Sequence, residues 1–562
     1  MMSLKCLPTR LPWSKINSQC VREHIIEDSS ILSGPPQNHW RKALICAFGV
    51  MIGHIWVVRS GFVDFDDPLI FLDRRDLQVS FDVFVSNAFD WERSDTWRPI
   101  RDLSHWVDFA IHGQSALGAH VHNLLLLGLL TTLACTYFVR LGFRKSWIYF
   151  AVAVALLHPA QIEVIAWVSG RKDLLAAIFF FGSLLLFQKF MSARQPIGYG
   201  LAILLLFVLG IMSKGHIIVL SIVLLCAHKL ECTVEQTRRI AHGRLFSLVI
   251  ILLALGLAFA WRIADGGASL PPELANTQRY GLTLSDRLQL PLRYLGTILF
   301  PTDLNHIYLT RMPDMSYHVL TVASVIVSTG FLLTTVLFWR RGDPRGPLMA
   351  TSIVLMMPYL HFRPGVVYMA DRYLFIPMFF LVVTGIYSIV RITRIRQTQR
   401  KHLIGWGSSL IGLLLVLGIR PHAAFVDSTA LWSRMTEVYP QSPWGYDRLG
   451  QALFEREFYG AASGAWLKAA TLDPRDVKFL NNAAVAAKAQ GNYGLARELL
   501  QEAYARDPED PWIRKNLGQL PDQPGLPSSS KGNSVTGPLR STKPNSPRRE
   551  QKTVDEKNRS VE

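Results

Sequence analysis

Between residues 43 and 419 the chain is a succession of apolar stretches separated by short polar links, and stretches such as Leu201–Met212 and Leu245–Trp261 carry no charged residue at all. Each approaches the ~20 apolar residues needed to cross a bilayer core. Lipid offers no hydrogen-bond partners to a backbone, so such stretches read as helices. The chain is 50% hydrophobic and 18% charged, where a soluble protein of ordinary composition carries about a quarter charged residues. These features define the fold class as an all-α, polytopic membrane bundle.

Spans are expected near 43–58, 117–139, 146–161, 174–191, 197–213, 216–230, 245–262, 318–339, 346–360, 372–390 and 403–419. The segment 288–300 is apolar but contains Pro291 and Arg293, and its status decides the orientation of everything after it. Cytoplasmic loops carry the excess of Lys and Arg. With Arg41 and Lys42 inside, alternation places Arg140, Arg144 and Lys145, then Lys189 and Arg194, then Arg238, Arg239 and Arg244 inside as well. If 288–300 crossed, Arg340, Arg341 and Arg345 would face outside together with Arg391, Arg394, Arg396, Arg400 and Lys401. We therefore expect it to lie in the interface or to re-enter, giving about eleven crossings, the N-terminus inside and the C-terminus outside.

The formal charge of +17 has the same origin. The basic residues sit between apolar stretches and in the C-terminal tail, which is a topology signal and not a nucleic-acid footprint. The six cysteines, Cys6, Cys20, Cys46, Cys135, Cys226 and Cys232, form no CxxC pair, so neither a disulfide framework nor a zinc site is expected. The N-terminal stretch is long and mixed and lacks a small-residue cleavage site after its first apolar run, so a cleaved signal peptide is not expected.

Behind the last span the pattern changes. Pro440, Pro474 and Pro508 recur every 34 residues, the period of tetratricopeptide repeats. Gly450, Ala484 and Gly518 keep the same phase, as do Ala462 with Ala496, Ala469 with Ala503, and Asp473-Pro474 with Asp507-Pro508. Small residues let the two helices of a repeat approach, and proline ends the second. Two full repeats and a fragment are fewer than such arrays need, so packing against the membrane domain or a partner is expected. The domain reading is a cytoplasmic segment 1–42, a membrane domain 43–420 with a large outer loop 59–116, repeats over 428–520, and a tail 521–562. That tail is rich in Ser, Pro, Lys and Arg and is expected to be disordered.

Candidate chemistry gathers on the side assigned to the outside. The loop 59–116 holds Asp64, Asp66 and Asp67, then Trp97-Arg98-Pro99. Adjacent carboxylates can hold a divalent cation or take a proton from a hydroxyl nucleophile. The next span opens on Gly118-Ala119-His120-Val121-His122-Asn123. The one after ends at His158-Pro159, followed by Glu163, Trp167, Arg171, Lys172 and Asp173, and Asp371-Arg372-Tyr373 opens a later one. Ionisable groups at membrane depth are costly and tend to line cavities. Any one of them taken alone is as well explained by an interhelical ion pair or a solvated loop; their convergence on one face favours a site.

Asp66-Asp67, Trp97-Arg98-Pro99, His120 with Asn123, His158-Pro159-x-x-x-Glu163-Val164, Gly170-Arg171-x-Asp173-Leu174 and Ala370-Asp371-Arg372-Tyr373-Leu374, in this order, resemble the transmembrane and tetratricopeptide-repeat O-mannosyltransferases and their bacterial relatives. The resemblance runs from about the first span through the repeats. Ser213-Lys214-Gly215 departs from it, because an acidic residue is expected after the lysine.

The resemblance implies a glycosyltransferase of the C-type membrane fold that takes a sugar from a polyprenyl-phosphate donor on the non-cytoplasmic face and passes it to a hydroxyl of a protein or glycan. In it Asp66 or Asp67 is the general base. Arg98, Arg171 or Arg372 stabilises the leaving phosphate. His120, Asn123, His158, Glu163, Asp173 and Asp371 line the site. No cofactor is implied with certainty; a divalent cation, if one is used, falls to Asp66 and Asp67. The expected partners are the donor lipid, the acceptor and a protein bound by the repeats, and the expected location is a bacterial plasma membrane with the repeats outside. The competing reading is a non-catalytic scaffold whose repeats assemble an envelope complex. A transporter would leave the long outer loop unexplained and should show inverted repeats, which the sequence does not.

Overall fold

The computed structural model describes residues 39–72, 74–90, 97–143, 145–234, 242–265, 283–302, 304–306, 308, 315–359, 369–393 and 400–521. Among these the chain is helical throughout, with an isolated β-bridge between Tyr308 and Met369. The tail expected to be disordered, most of the N-terminal segment, and Arg144, Arg238, Arg239, Arg394 and Arg396 lie outside the described residues.

The membrane portion comprises α1 (His39–Gly53), α4 (Ala116–Arg140), α5 (Lys145–Leu157), α6 (Arg171–Ser192), α7 (Ile197–Ser213), α8 (Leu220–Val234), α9 (His242–Asp265), α11 (Met315–Arg340), α12 (Arg345–Met356), α13 (Pro377–Thr393) and α14 (Arg400–Ala424). Helices α2 (Phe81–Phe89) and α3 (Pro99–His112) belong to the outer loop, and α10 (Leu284–Leu299) covers the segment that decides the orientation of the later spans. Four helical stretches are long and apolar enough to cross a bilayer: Ala116–Arg140, Val168–Ser192, Ser316–Arg340 and Gly405–Ala424. A fifth is broken, since Trp147–Leu157 and Pro159–Ala166 meet at 61°. Among the described residues Ile197–Ser213, Ser247–Ala258 and Pro377–Ile392 are apolar but shorter, so length and composition by themselves identify four or five crossings there, fewer than the eleven expected.

Local chemistry accounts for the breaks that matter. Helix α4 opens on Ser115, whose Oγ accepts from Gly118 N at 3.3 Å. Inside it Thr131 donates to Leu127 O at 2.7 Å, which satisfies a hydroxyl without a partner helix. Helix α5 stops at His158-Pro159, where proline supplies no N–H, and His158 Nδ1 accepts from Ala160 N at 3.2 Å to cap the next turn. The interior where these helices meet is filled by aromatic rings: Phe181 lies 5.0 Å from Phe379, and Phe138 lies 5.4 Å from Phe380.

Helix α10 is about 24 Å long at 1.5 Å per residue, short of a bilayer core of about 30 Å. Its polar side is the buried one. Tyr317 donates to Asp286 Oδ1 at 2.8 Å and Gln289 donates to Thr321 Oγ1 at 2.9 Å, while Leu284, Leu299 and Phe300 are exposed. The segment thus runs against α11 with apolar side chains turned outward. The outer loop has a small core of its own around Phe71, Leu77, Phe84 and Ala88, with Phe81, Phe89 and Ile111 exposed.

The C-terminal helices are α15 (Ser428–Val438), α16 (Pro443–Glu455), α17 (Tyr459–Leu472), α18 (Lys478–Ala489), α19 (Tyr493–Arg506) and α20 (Pro511–Gly518). Prolines at the first turns of α16 and α20 sit where the missing N–H costs nothing. A Cβ on Gly450 would stand 2.8 Å from the Trp466 ring, so the first helix pair closes only around glycine. Trp466 Nε1 donates to Asp447 at 2.8 Å, and Asn516 donates to Asn481 at 2.8 Å across successive repeats. The later repeats form their own core. Leu431, Trp432, Met435 and Ala452, from the first two of these helices, instead belong to the core of the membrane portion.

Candidate active site

Helices α4, α6 and α13 all begin at the end of the bundle where α5 finishes, so the starts of three elements and the finish of a fourth meet beside the outer loop. The connection from α5 to α6 is a series of short turns through 159–170. It closes because residue 170 is glycine: a Cβ there would stand 2.3 Å from Val164 O. That close approach delivers Ser169 to the outer loop and aims Arg171, Lys172 and Asp173 at three different partners.

Asp67 is 1% exposed. Its Oδ1 accepts from Ser169 N at 3.0 Å and Ser169 Oγ at 2.5 Å, and its Oδ2 accepts from Val63 N at 3.0 Å. Burial pushes its carboxyl up to about 6, against the hydrogen bonds from Ser169 and Val63 that favour the charged form. Asp67 therefore staples the loop to the 167–170 turn. Asp66, its neighbour, points elsewhere. Its side chain is 35% exposed and meets Lys172 Nζ at 3.1 Å. Burial raises its carboxyl, but the ammonium of Lys172, with Arg372 and Arg98 farther off, outweighs this and holds it below the usual range.

The cations around Asp66 differ in how far they are committed. The Lys172 ammonium lies 4.4 Å from the Trp167 ring centroid. Arg372 pairs through its guanidinium with Glu163 Oε1, its backbone N–H donates to Glu163 Oε2 at 2.9 Å, and it lies 5.7 Å from the Trp167 ring. The Arg98 guanidinium has no hydrogen-bond or ion-pair partner among the described residues; burial and Arg101 lower it to about 10, so it stays protonated at neutral pH. Arg171 is wholly buried and spent. It pairs with Asp108 and donates to Asn123 Oδ1 at 2.7 Å, Ser104 O at 3.1 Å and Ala119 O at 2.9 Å.

The other expected residues are brought to the same end of the bundle with mostly architectural contacts. Asn123 also donates to Trp167 O at 3.4 Å. His120 reaches Gly61 O at 3.4 Å through Nε2. His158 ties the bend after α5 to Ile298 O of α10 at 2.9 Å. Asp173 pairs with Lys214, which stands 5.8 Å and 5.9 Å from the rings of Tyr359 and Tyr373, themselves stacked at 4.1 Å. Asp371 accepts from Tyr308 OH at 2.7 Å. The lysine of Ser213-Lys214-Gly215 thus finds its acidic partner in α6.

Two partnerships escape a reading of the sequence. Lys172 adjoins Arg171 in the motif, but nothing in the order of residues says that it, and not Arg171, reaches Asp66. Lys214 stands out in the sequence for the glycine after it and not for the carboxylate it meets. Asp108 does have a legible signal: Arg101, Asp102, His105, Asp108 and His112 recur at helical spacing on α3, and four of the five are buried, so its polar face is the packed one.

No group of three or more His, Cys, Asp or Glu gathers to hold a metal among the described residues. A divalent cation does not fit at Asp66 and Asp67. The first carboxylate is paired with an ammonium and approached by two guanidiniums, and the second is filled by three hydrogen bonds.

Comparison with known proteins bears on both halves. A tetratricopeptide-repeat family model matches residues 480–520. A Caenorhabditis elegans protein named Protein O-mannosyl-transferase F38B6.6 is 29% identical over 140 residues, 24% of this chain and 19% of the relative. Protein O-mannosyl-transferase TMTC2 of Mus musculus is 32% identical over 99 residues, 18% of this chain and 12% of the relative. Protein O-mannosyl-transferase Tmtc1 of Drosophila melanogaster is 24% identical over 158 residues, 27% and 18% of the two chains. The matched part is less than a fifth of each of these curated relatives. No solved structure matches the chain.

Proposed function

We propose that the chain is a membrane glycosyltransferase that moves a sugar from a polyprenyl-phosphate donor to a hydroxyl acceptor on the non-cytoplasmic face of its membrane. The observation that carries this is the contrast within the cluster. Asp67, Asp108, Glu163, Asp173 and Asp371 are each no more than 4% exposed and engaged, whereas the Asp66 carboxylate is ionised, accessible and flanked by Lys172, Arg372 and an unpartnered Arg98. The similarity to proteins named O-mannosyl-transferases supports the same class.

In this reading Asp66 accepts the acceptor's hydroxyl proton as the oxygen attacks the anomeric carbon. The bond from that carbon to the phosphate oxygen breaks with inversion, and its electron pair leaves on the lipid phosphate. Cations at the leaving oxygen stabilise the charge that develops there. Arg98 is the best placed, since no described carboxylate claims it; Lys172 and Arg372 add field while holding Asp66 and Glu163. The acceptor is a protein or glycan. The repeats face the same side as the site, an orientation supported by Arg140, Lys189, Arg340 and Arg391 at the opposite ends of α4, α6, α11 and α13.

The test is transfer of labelled sugar from a panel of polyprenyl-phosphate donors by the purified full-length chain, with Asp66→Asn beside it. An isostere removes the base without emptying the site, so turnover should fall ~10²-fold or more with donor binding retained. Wild-type transfer that survives Asp66→Asn undiminished would remove Asp66 from the chemistry. No transfer from any donor would favour the scaffold reading.

A further inference from the structure

The segment that presents Asp66 is held from behind by the repeats. Gly61 N donates to Val426 O at 2.8 Å, and Asp64 N donates to Ser428 Oγ, the first residue of α15, at 2.7 Å. The buried Asp64 carboxylate faces Arg448 of α16 at 3.9 Å. Between Asp64 and Asp66, the Phe65 ring is wedged against Trp167 of the membrane portion at 5.4 Å, and against His306 and Trp432 at 5.7 Å and 6.3 Å. Trp432 is fully buried, edge-on to Trp444 at 5.1 Å and with the Arg448 guanidinium 5.9 Å from its ring.

On its other side the same segment is pinned by Asp67. Asp66 therefore projects from a backbone fixed by the repeats through residues 64 and 65, by the linker ahead of them through residue 61, and by the membrane turn through residue 67. Of these holds, the repeats supply one hydrogen bond, one ion pair and one aromatic contact, and Val426 of the linker just ahead of them supplies a second hydrogen bond. A base must stand within a fraction of an ångström of its working position, and a displacement of about 1 Å costs about 10²-fold in rate. The first repeat helix is thus tied to the one group in the site whose placement matters most.

We propose that Ser428, Trp432 and Arg448 are positioning residues for Asp66, so that the first repeat helices are a working part of the transfer site. This rests on the reading of Asp66 as the base. The repeats would then do two things with one body: their later helices present a surface to partners, and their first two hold the segment that carries the carboxylate. A load on the later helices would have a direct mechanical route to the base.

The experiment uses the full-length chain with Ser428→Ala, Arg448→Ala, Arg448→Lys, Trp432→Ala and Trp432→Phe, each checked for normal insertion and monodispersity. Two quantities are read: amide hydrogen exchange over residues 61–67, and the kcat and donor KM of sugar transfer. Ser428→Ala and Arg448→Ala should speed exchange at residues 61–67 several-fold and lower kcat about tenfold with donor KM unchanged. Arg448→Lys and Trp432→Phe should recover most of both, which a general loss of folding would not allow. Exchange that stays at the wild-type level in all the alanine variants overturns the proposal, as does faster exchange with kcat unchanged. If wild type transfers no sugar from any donor, the catalytic reading falls and the positioning role with it, while the exchange arm still reports whether the repeats hold the segment.

Discussion

The membrane portion and the repeat array both bury polar side chains, but they find partners over very different distances along the chain. In the membrane portion Glu163 is paired with Arg372, 209 residues away, and Asp66 with Lys172, 106 residues away. In the repeats Trp466 reaches Asp447, 19 residues away, and Asn516 reaches Asn481, 35 residues away. A repeat unit meets only its neighbours, so its polar contacts carry the period of the sequence. A bundle brings together whichever helix ends the topology places side by side. The first is a local rule and tolerates local damage; the second concentrates unrelated charges at one place, where losing one partner strands another.

The sharpest way to break that contrast is at Arg372. Removing one member of a buried ion pair leaves an uncompensated charge and costs about 3–5 kcal/mol, so Arg372→Ala should markedly lower the thermal midpoint of the detergent-solubilised protein. Donor use in that variant would then report damage to Glu163 as much as to a phosphate contact. The double variant Glu163→Gln with Arg372→Gln should recover most of the midpoint, and its transfer rate then reads the guanidinium alone. If Arg372→Ala melts like wild type, the pair does not stabilise the bundle.

A smaller and strictly local loss is expected at Gly450→Val. The branched side chain would meet the Trp466 ring, and overpacking of this kind costs about 1–3 kcal/mol. Limited proteolysis should detect loosening of α16 and α17 with α18 to α20 still protected. Spread of the damage through α20 would show that the array unfolds as one unit.

Lys172→Met should change the pH dependence more than the stability. The ammonium is the chief influence lowering the Asp66 carboxyl, and the carboxylate is the form that accepts a proton. Its activity is present above the depressed value and lost as pH falls through it, so removing the ammonium must move the acid limb of kcat/KM to higher pH. An acid limb that stays put would mean another group sets it. The smallest effect belongs to Arg506→Ala on the exposed face of α19, where the pair with Glu502 is worth about 0.3–0.5 kcal/mol; calorimetry should find almost no change.

The candidate residues were legible because the resemblance supplied them in order, and all of them lie at one end of the bundle. Their jobs were not legible. Asp66 and Asp67 are adjacent and chemically identical, yet one is filled by Ser169 and Val63 while the other is accessible beside a lysine. Arg98, Arg171 and Arg372 read alike as guanidiniums; only the packing shows that Arg171 is consumed by Asp108, Asn123 and two carbonyls. Segment 284–299 shows the same division. Its Pro291, Arg293 and brevity argue against a crossing, and the pairing of Asp286 and Gln289 with α11 is what places its polar side inward.

By itself the sequence determined the helical class, the apolar stretches, the repeat period and the set of residues able to carry chemistry, because each depends on composition or on a spacing of a few residues to a few tens. Tertiary structure alone decided which carboxylate is accessible, which cation is uncommitted, and that the first repeat helices close on the segment bearing Asp66. Those outcomes depend on what each side chain meets after the chain has folded back over a hundred residues or more, and no local pattern encodes the identity of a partner at that distance.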